Sequence, residues 1–390
     1  MTSKIALLHL GFRPFFLAAG VYAVLSTFLW MGIYIYGWKL GLNGIPATTW
    51  HAHEMIFGYA MAVVAGFMLT AVRNWTDKQT LNGMQLLSLV LLWAMARVLS
   101  CSGAPASLYL MGGADILFAL VLLIHCALLI IKADQRRQLV ILLVLLLMLV
   151  SNTVFYAGLL VGNYDLVNKG LYSGLYLIVT LIVVMGGRVI PFFIERGVGY
   201  PVQLRHSRWL DIAATVLFVV YWIADIYTQY HSAVAMLCGV LFLLHCTRMM
   251  HWYTRGIWKK PLLWVLYIGY GFILIGFLLK IGVAVFGISP LLAVHAFAYG
   301  CVGTITLGMM CRVIWGHTGR EITNPPRALP WIFIPLIIGA LVRVILPLLA
   351  VANYALWIGL SQLFWMVAFA LFLAVYAPIL VKPRIDGKYG

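Results

Sequence analysis

Charge is what this sequence has least of. Only 9% of its residues are charged, against about 25% in an ordinary soluble domain, which excludes a water-solvated fold for most of the chain. Acid is scarcer than base, with 10 Asp and Glu against 26 Lys and Arg. The six cysteines, Cys101, Cys126, Cys238, Cys246, Cys301 and Cys311, form no C-x-x-C pair. All fall in or beside apolar runs, so they read as small apolar residues and not as a disulfide framework or a zinc site. No stretch is long enough for a separate soluble domain. No small-residue cleavage site follows the first apolar run, which reads as a retained first span.

What is present is apolar, at 64% of residues. A bilayer crossing takes roughly 20 mainly apolar residues. Runs at 13–36, 51–72, 84–101, 108–131, 138–161, 170–193, 208–227, 232–252, 262–286, 290–315, 329–350 and 354–381 predict twelve spans. The fold class is an all-α polytopic membrane protein, one membrane domain over 1–390. With the N-terminus inside, 21 of the Lys and Arg residues, from Lys4 to Lys388, fall in cytoplasmic segments or at inward span ends. Only Lys39 and Lys169 fall in outer loops, and Arg97, Lys280 and Arg343 lie inside spans. Cytoplasmic loops carry excess Lys and Arg. The net charge of +16 is therefore a topology signal with both termini cytoplasmic, and it does not indicate nucleic acid.

Weak self-similarity recurs near every 120 residues. Leu123-Ile124-His125-Cys126 in span four matches Leu243-Leu244-His245-Cys246 in span eight. Gly187-Arg188-Val189-Ile190 closes span six as Cys311-Arg312-Val313-Ile314 closes span ten, and Arg73 ends span two. Three four-helix units, about 1–132, 133–257 and 258–390, are expected to be related by a pseudo-threefold axis.

Ionisable residues inside a bilayer are costly and need a reason. His51 and His53 open span two at the outer face, and two residues apart they point about 200° away from each other on a helix. One regular helix cannot aim both at one metal. His53 is followed by Phe57 and Gly58, and His295 in span ten by Tyr299 and Gly300 at the same offsets. Gly66 and Gly308 each lie 13 residues past the respective His. Matching helices of this kind suit a macrocycle clamped between them, with imidazole ligands to haem b. The competing reading is that each His is an interfacial polar residue. Glu54 either orients an imidazole or carries protons, or is a first-turn carboxylate favoured by the helix dipole. Arg97 and Asp115 read as a structural ion pair. On the inner level, Arg188 and Arg312 are either positive-inside anchors or part of a second cofactor or anion site. There, His245 and His317 are candidate metal ligands, and the His-Cys pairs are candidates for copper.

Six segments together carry a resemblance. They are Phe12-Arg13-Pro14-Phe15-Phe16, Trp50-His51-Ala52-His53-Glu54-Met55-Ile56-Phe57-Gly58, Ala65 to Val72 with Asn74-Trp75, Gly187-Arg188-Val189-Ile190-Pro191-Phe192-Phe193, His295-Ala296-Phe297 and Gly316-His317-Thr318-Gly319-Arg320. They resemble the NnrS family of membrane proteins over nearly the whole chain. The resemblance implies a haem- and copper-containing protein of the bacterial cytoplasmic membrane, tied to the response to nitric oxide. Its partners would be the bilayer, nitric oxide or a similar small ligand, and a quinol or other electron donor. Many members carry a His early in span nine, where this chain has Tyr267. A looser likeness is to the catalytic subunits of haem-copper oxidases and nitric oxide reductases, which are also twelve-span proteins. Here span six has no His and span ten no His-x-His, so their three-His copper site is not recognisable. A nitric oxide reductase-like enzyme, a non-enzymatic haem sensor or sink, and an anion or metal transporter are the functions left open.

Overall fold

The structure is a computed structural model that describes residues 5–104 and 106–390. Lys4, counted above among the cytoplasmic basic residues, lies outside them. The apolar runs form α1 (Phe12–Tyr36), α2 (Ala47–Thr76), α3 (Gly83–Leu99), α4 (Ser107–Lys132), α5 (Arg136–Leu160) and α6 (Tyr164–Gly197). They continue as α7 (Arg208–Tyr227), α8 (His231–Trp252), α9 (Pro261–Phe286), α10 (Pro290–His317), α11 (Leu329–Leu349) and α12 (Val351–Val381). Eleven of these are long and apolar enough to cross a membrane. The segment expected at 84–101 is α3, a shorter apolar helix of 17 residues. No β-strand occurs among the described residues.

Local chemistry sets the helix ends. Pro261 and Pro290 stand at the first turns of α9 and α10, where a missing N–H costs nothing. Gly37 ends α1 and Gly287 ends α9 in the left-handed conformation that glycine adopts without strain. Side-chain burial then shows which solvent the helices meet. On α4, Met111, Phe118, Leu122, Cys126 and Ile130 are buried, while Leu117, Leu120, Ile124, Leu128 and Ile131 are exposed. A helix apolar on both its inner and outer faces belongs in lipid.

By contact the chain divides into two units. The first comprises Met1–Gly174, Val313–Glu321 and Phe369–Gly390, the second Leu175–Arg312 and Ile322–Ala368. Three of their borders fall inside α6, α10 and α12, and the fourth, between Glu321 and Ile322, falls in the segment before α11. In the first unit α1 packs on α2, α3 on α4 and α4 on α5; in the second α7 packs on α8, α8 on α9, and α10 on α9 and α11. The two His-Cys pairs turn different members inward. Cys126 is buried beside a half-buried His125, whereas His245 is buried beside a half-buried Cys246.

Arg13 gives the Phe-Arg-Pro-Phe-Phe segment a structural role. Its fully buried guanidinium donates to the carbonyls of Leu380 and Lys382, both at 2.7 Å, and to that of Gly390. It thereby caps the unsatisfied carbonyls at the end of α12 with a cation, the favourable sign for a helix C-terminus.

Candidate cofactor site

The regular helix expected through His53 does not persist. α2 is α-helical from Ala47 to His53 and then π-helical from Glu54 to Ala60. α10 does the same, with Pro290–His295 α-helical and Ala296–Gly303 π-helical. Each histidine is the last residue before its π-helical segment, and such segments recur at functional sites because they break the regular hydrogen-bond ladder. Trp93 steadies the first one by donating its indole N–H to the Gly58 carbonyl at 3.0 Å. Gly58 itself makes room, since a Cβ there would lie 2.8 Å from both Arg97 Nη1 and Tyr22 Cε1.

Those two side chains belong to a buried charge network in the first unit. Arg97 Nη1 donates to Glu54 Oε2 at 2.9 Å, and Arg97 Nη2 donates to Asp115 Oδ1. Tyr22 donates to Glu54 Oε2, and Tyr156 donates to Asp115 Oδ2 at 2.7 Å. The structural pair expected for Arg97 and Asp115 is present, and Glu54 joins it. The Nδ1–H of His53 donates to Glu54 Oε1 at 2.9 Å. His53 Nε2 lies 3.1 Å from Asn152 Oδ1 and 3.6 Å from Asp115 Oδ2. Its ring stacks on Phe155, with centroids 4.3 Å apart. Phe57 packs 5.2 Å from the same ring and fills the space that Gly174 leaves open. His53 and Glu54 are both 0% exposed. Burial of charge on this scale is tolerable only with full pairing. Nothing in the sequence pointed to Tyr22, Asn152 or Tyr156. They are polar groups on apolar helices, which is a weak signal without knowledge of which helices pack together.

His295, in the second unit, is held differently. Its Nδ1–H donates to the Leu291 carbonyl at 2.7 Å, and its Nε2 accepts from Arg343 Nη2 at 3.0 Å. Arg343 also lies over the ring of Tyr354. Tyr299 donates to the Ser361 carbonyl at 2.8 Å. The π-helical glycines serve close packing, with Gly300 against Phe272 and Gly303 against Trp365. The glycines further along do likewise: Gly66 meets Phe16, and Gly308 meets Val265.

The remaining candidates are scattered. His51 stacks on Trp30, centroids 4.6 Å apart and planes 5° apart. His245 is fully buried, with Nδ1 2.6 Å from the Tyr270 hydroxyl and no partner on Nε2. Arg248, on the same helix, donates to that hydroxyl and, at 2.8 Å, to Asp211 Oδ1. Gly187 gives it space, because a Cβ there would sit 2.1 Å from Arg248 Nη2. Arg188 is exposed, and Arg312 lies with its guanidinium carbon 3.7 Å from the Phe193 ring centroid. His317 belongs to the first unit, its ring near Phe12. Among the described residues no three His, Cys, Asp or Glu side chains form a group that could hold a metal ion, and none of the six cysteines forms a disulfide.

Long apolar helices and buried, paired ionisable groups define a polytopic membrane protein whose interior carries charge for a purpose. The family model described as NnrS protein matches residues 6–384. The chain belongs to the NnrS family and is a multi-pass membrane protein related to nitric oxide. No curated protein matches it.

Proposed function

We propose that this protein binds haem b in the bacterial cytoplasmic membrane and uses it to bind or reduce nitric oxide, with His295 and His53 as the residues that would hold its iron. The observation that carries the reading is the shared placement of the two imidazoles. Each stands at the entrance to a π-helical segment, and each sets its Nδ1 against an oxygen, Leu291 O or Glu54 Oε1. At His295 that leaves the Nε2 lone pair as the donor atom, the arrangement that orients metal-bound histidines, whereas His53 Nε2 faces two acceptor oxygens, Asn152 Oδ1 and Asp115 Oδ2, which call for an N–H there.

The fit is unequal. At His295 the Arg343 guanidinium faces Nε2, and a guanidinium is also suited to an acidic group on a ligand. At His53, Asn152 and Asp115 stand at Nε2 and Phe155 covers the ring. His53 has to exchange Asn152 for iron before it can ligate, so His295 is the stronger candidate. The glycines beyond the two histidines are filled by Tyr22, Phe16, Phe272 and Val265 and offer a macrocycle no ready slot. Bound haem would supply a ferrous centre for nitric oxide. Glu54 and Arg343 would orient the imidazoles, and the aromatic rings around His53 would keep water out. Copper enters through the family resemblance, with His51, His245 and His317 as candidate donors. A quinol is the candidate electron donor.

The test is the visible spectrum of purified, monodisperse protein, followed by nitric oxide consumption with a quinol donor. His295→Ala is expected to lose the haem absorption and His53→Ala to alter it, while His206→Ala and His231→Ala keep it. Wild-type spectra from folded His53→Ala and His295→Ala proteins would refute the site. A bound spectrum without turnover would leave a sensor or sink.

A further inference from the structure

At one end of the second unit a cavity of 410 Å³ opens between α6, α9, α10 and the segment before α11. Its wall carries three cations, Arg196, Lys260 and Arg312, and among the described residues no carboxylate lines it. Arg312 is only 8% exposed. Among the described residues it makes no ion pair, and the Phe193 ring beneath its guanidinium is its neighbour. A buried cation without an anion is costly, so this arrangement calls for one from outside the chain. The first turn of α9, Pro261 to Leu263, forms another part of the wall. The N-terminus of that 26-residue helix adds its partial positive charge at the same place. Apart from Thr323, the rest of the lining is apolar, with Phe192, Leu262, Leu263, Ile322 and Pro325 among it.

A small hydrated anion would gain from the cations but not from these walls. An anion carried on an apolar body gains from both. The excess of Lys and Arg assigns this end of the unit to the cytoplasmic side, where the leaflet is rich in acidic lipid and basic pockets between helices take lipid headgroups. We propose that the cavity is a binding site for a phosphate monoanion with an apolar attachment, the headgroup of an acidic phospholipid. Arg312 makes the charged contact at the base, Arg196 and Lys260 flank it from the rim, and Phe192 and Leu262 meet the start of the acyl region. The site is independent of the haem reading and stands or falls without it.

Thermal melting of the full-length protein in detergent tests it, with phosphatidylglycerol, phosphatidylcholine or inorganic phosphate added. Phosphatidylglycerol is expected to raise the Tm of the wild type and phosphatidylcholine is not. Arg312→Gln is expected to weaken the response to phosphatidylglycerol about tenfold in concentration, the loss of one charge-assisted contact. Should Arg312→Gln fail to fold, the double change Arg196→Gln and Lys260→Gln, at rim positions, is expected to weaken it as well. Arg136→Gln removes an exposed charge paired with Asp134 elsewhere and is expected to leave the response intact. A rise produced by inorganic phosphate alone, and lost in Arg312→Gln, would keep the anion site but make free phosphate its source. Equal responses to the two lipids, or an equal loss in Arg136→Gln, would overturn the proposal. So would a wild type that none of the three additions moves.

Discussion

His53 and His295 enter their π-helical segments at the same step, and the groups around them carry opposite charge. His53 faces two carboxylates that share one guanidinium, Arg97, and two tyrosine hydroxyls and an amide complete the set. His295 faces a guanidinium, Arg343, with the Leu291 carbonyl behind it. A cation among acids is held tightly and fixes its neighbours. The first arrangement therefore reads as a scaffold; in the second, the cation donates to an imidazole nitrogen. Lys280 resembles the first case, since Asp225 binds it at 2.8 and 2.7 Å with both oxygens.

The largest test is one of direction. In the twelve-span topology α2 and α10 run the same way across the membrane only if all seven helices between them cross, and the short one is α3. At 17 residues α3 is about 25 Å long, against about 30 Å of hydrocarbon. Its Arg97 is buried in the charge network, which removes the cost of placing a cation at that depth. α3 is therefore expected to cross, and reporter fusions after Lys132 and after Lys388 should both report cytoplasm. A periplasmic signal from either would overturn the twelve-span reading with both termini cytoplasmic.

Next in size is the energetic asymmetry. Arg97→Met leaves Glu54 and Asp115 buried without their shared cation, a loss of about 3–5 kcal/mol. Arg343→Met removes its hydrogen bond to His295 and its contact with the Tyr354 ring, together about 1–2 kcal/mol. Thermal melting of both variants in the same detergent should rank them in that order. Equal losses would mean that Arg343 is as much a part of the scaffold as Arg97.

Much of this was legible in the amino acids, for reasons that differ by residue. The helices are legible because each apolar run must satisfy its backbone hydrogen bonds internally once in lipid. The need of Arg97 for an acid is legible because an unpaired cation has no place at that depth, and Asp115 was close enough in the chain to nominate. That Glu54 joins the same guanidinium was not, because its position also suits a first-turn carboxylate. The π-helical segments were hidden for a similar reason. His53 and Phe57 are four residues apart, a spacing that serves an α-helical face as well as a π-helical one, so periodicity does not separate them. Tyr22 and Asn152 come from α1 and α5, and only helix packing brings them to His53. Arg312 was read as an anchor or an anion site; Phe193 beneath it, and the absence of an acid among the described residues that line its cavity, favour the second reading.

The smallest effect expected is at His51, and it divides two roles that lie two residues apart. His51 and His53 share the short α-helical stretch before the π segment, so their rings leave the helix on nearly opposite sides. The contacts agree: His51 lies flat on Trp30, and His53 lies on Phe155. His51→Ala therefore removes a stacked ring without touching the Glu54 network, a cost of about 0.5–1.5 kcal/mol. The haem absorption should be unchanged, because neither His53 nor its partners lose a contact. Copper per chain should fall if His51 is one of its donors, and metal analysis of protein with matched haem content reads that directly. A His51→Ala protein that loses haem while keeping its melting temperature would show that the two histidines act as one site. The separation drawn between the rim of α2 and its buried network would then be wrong.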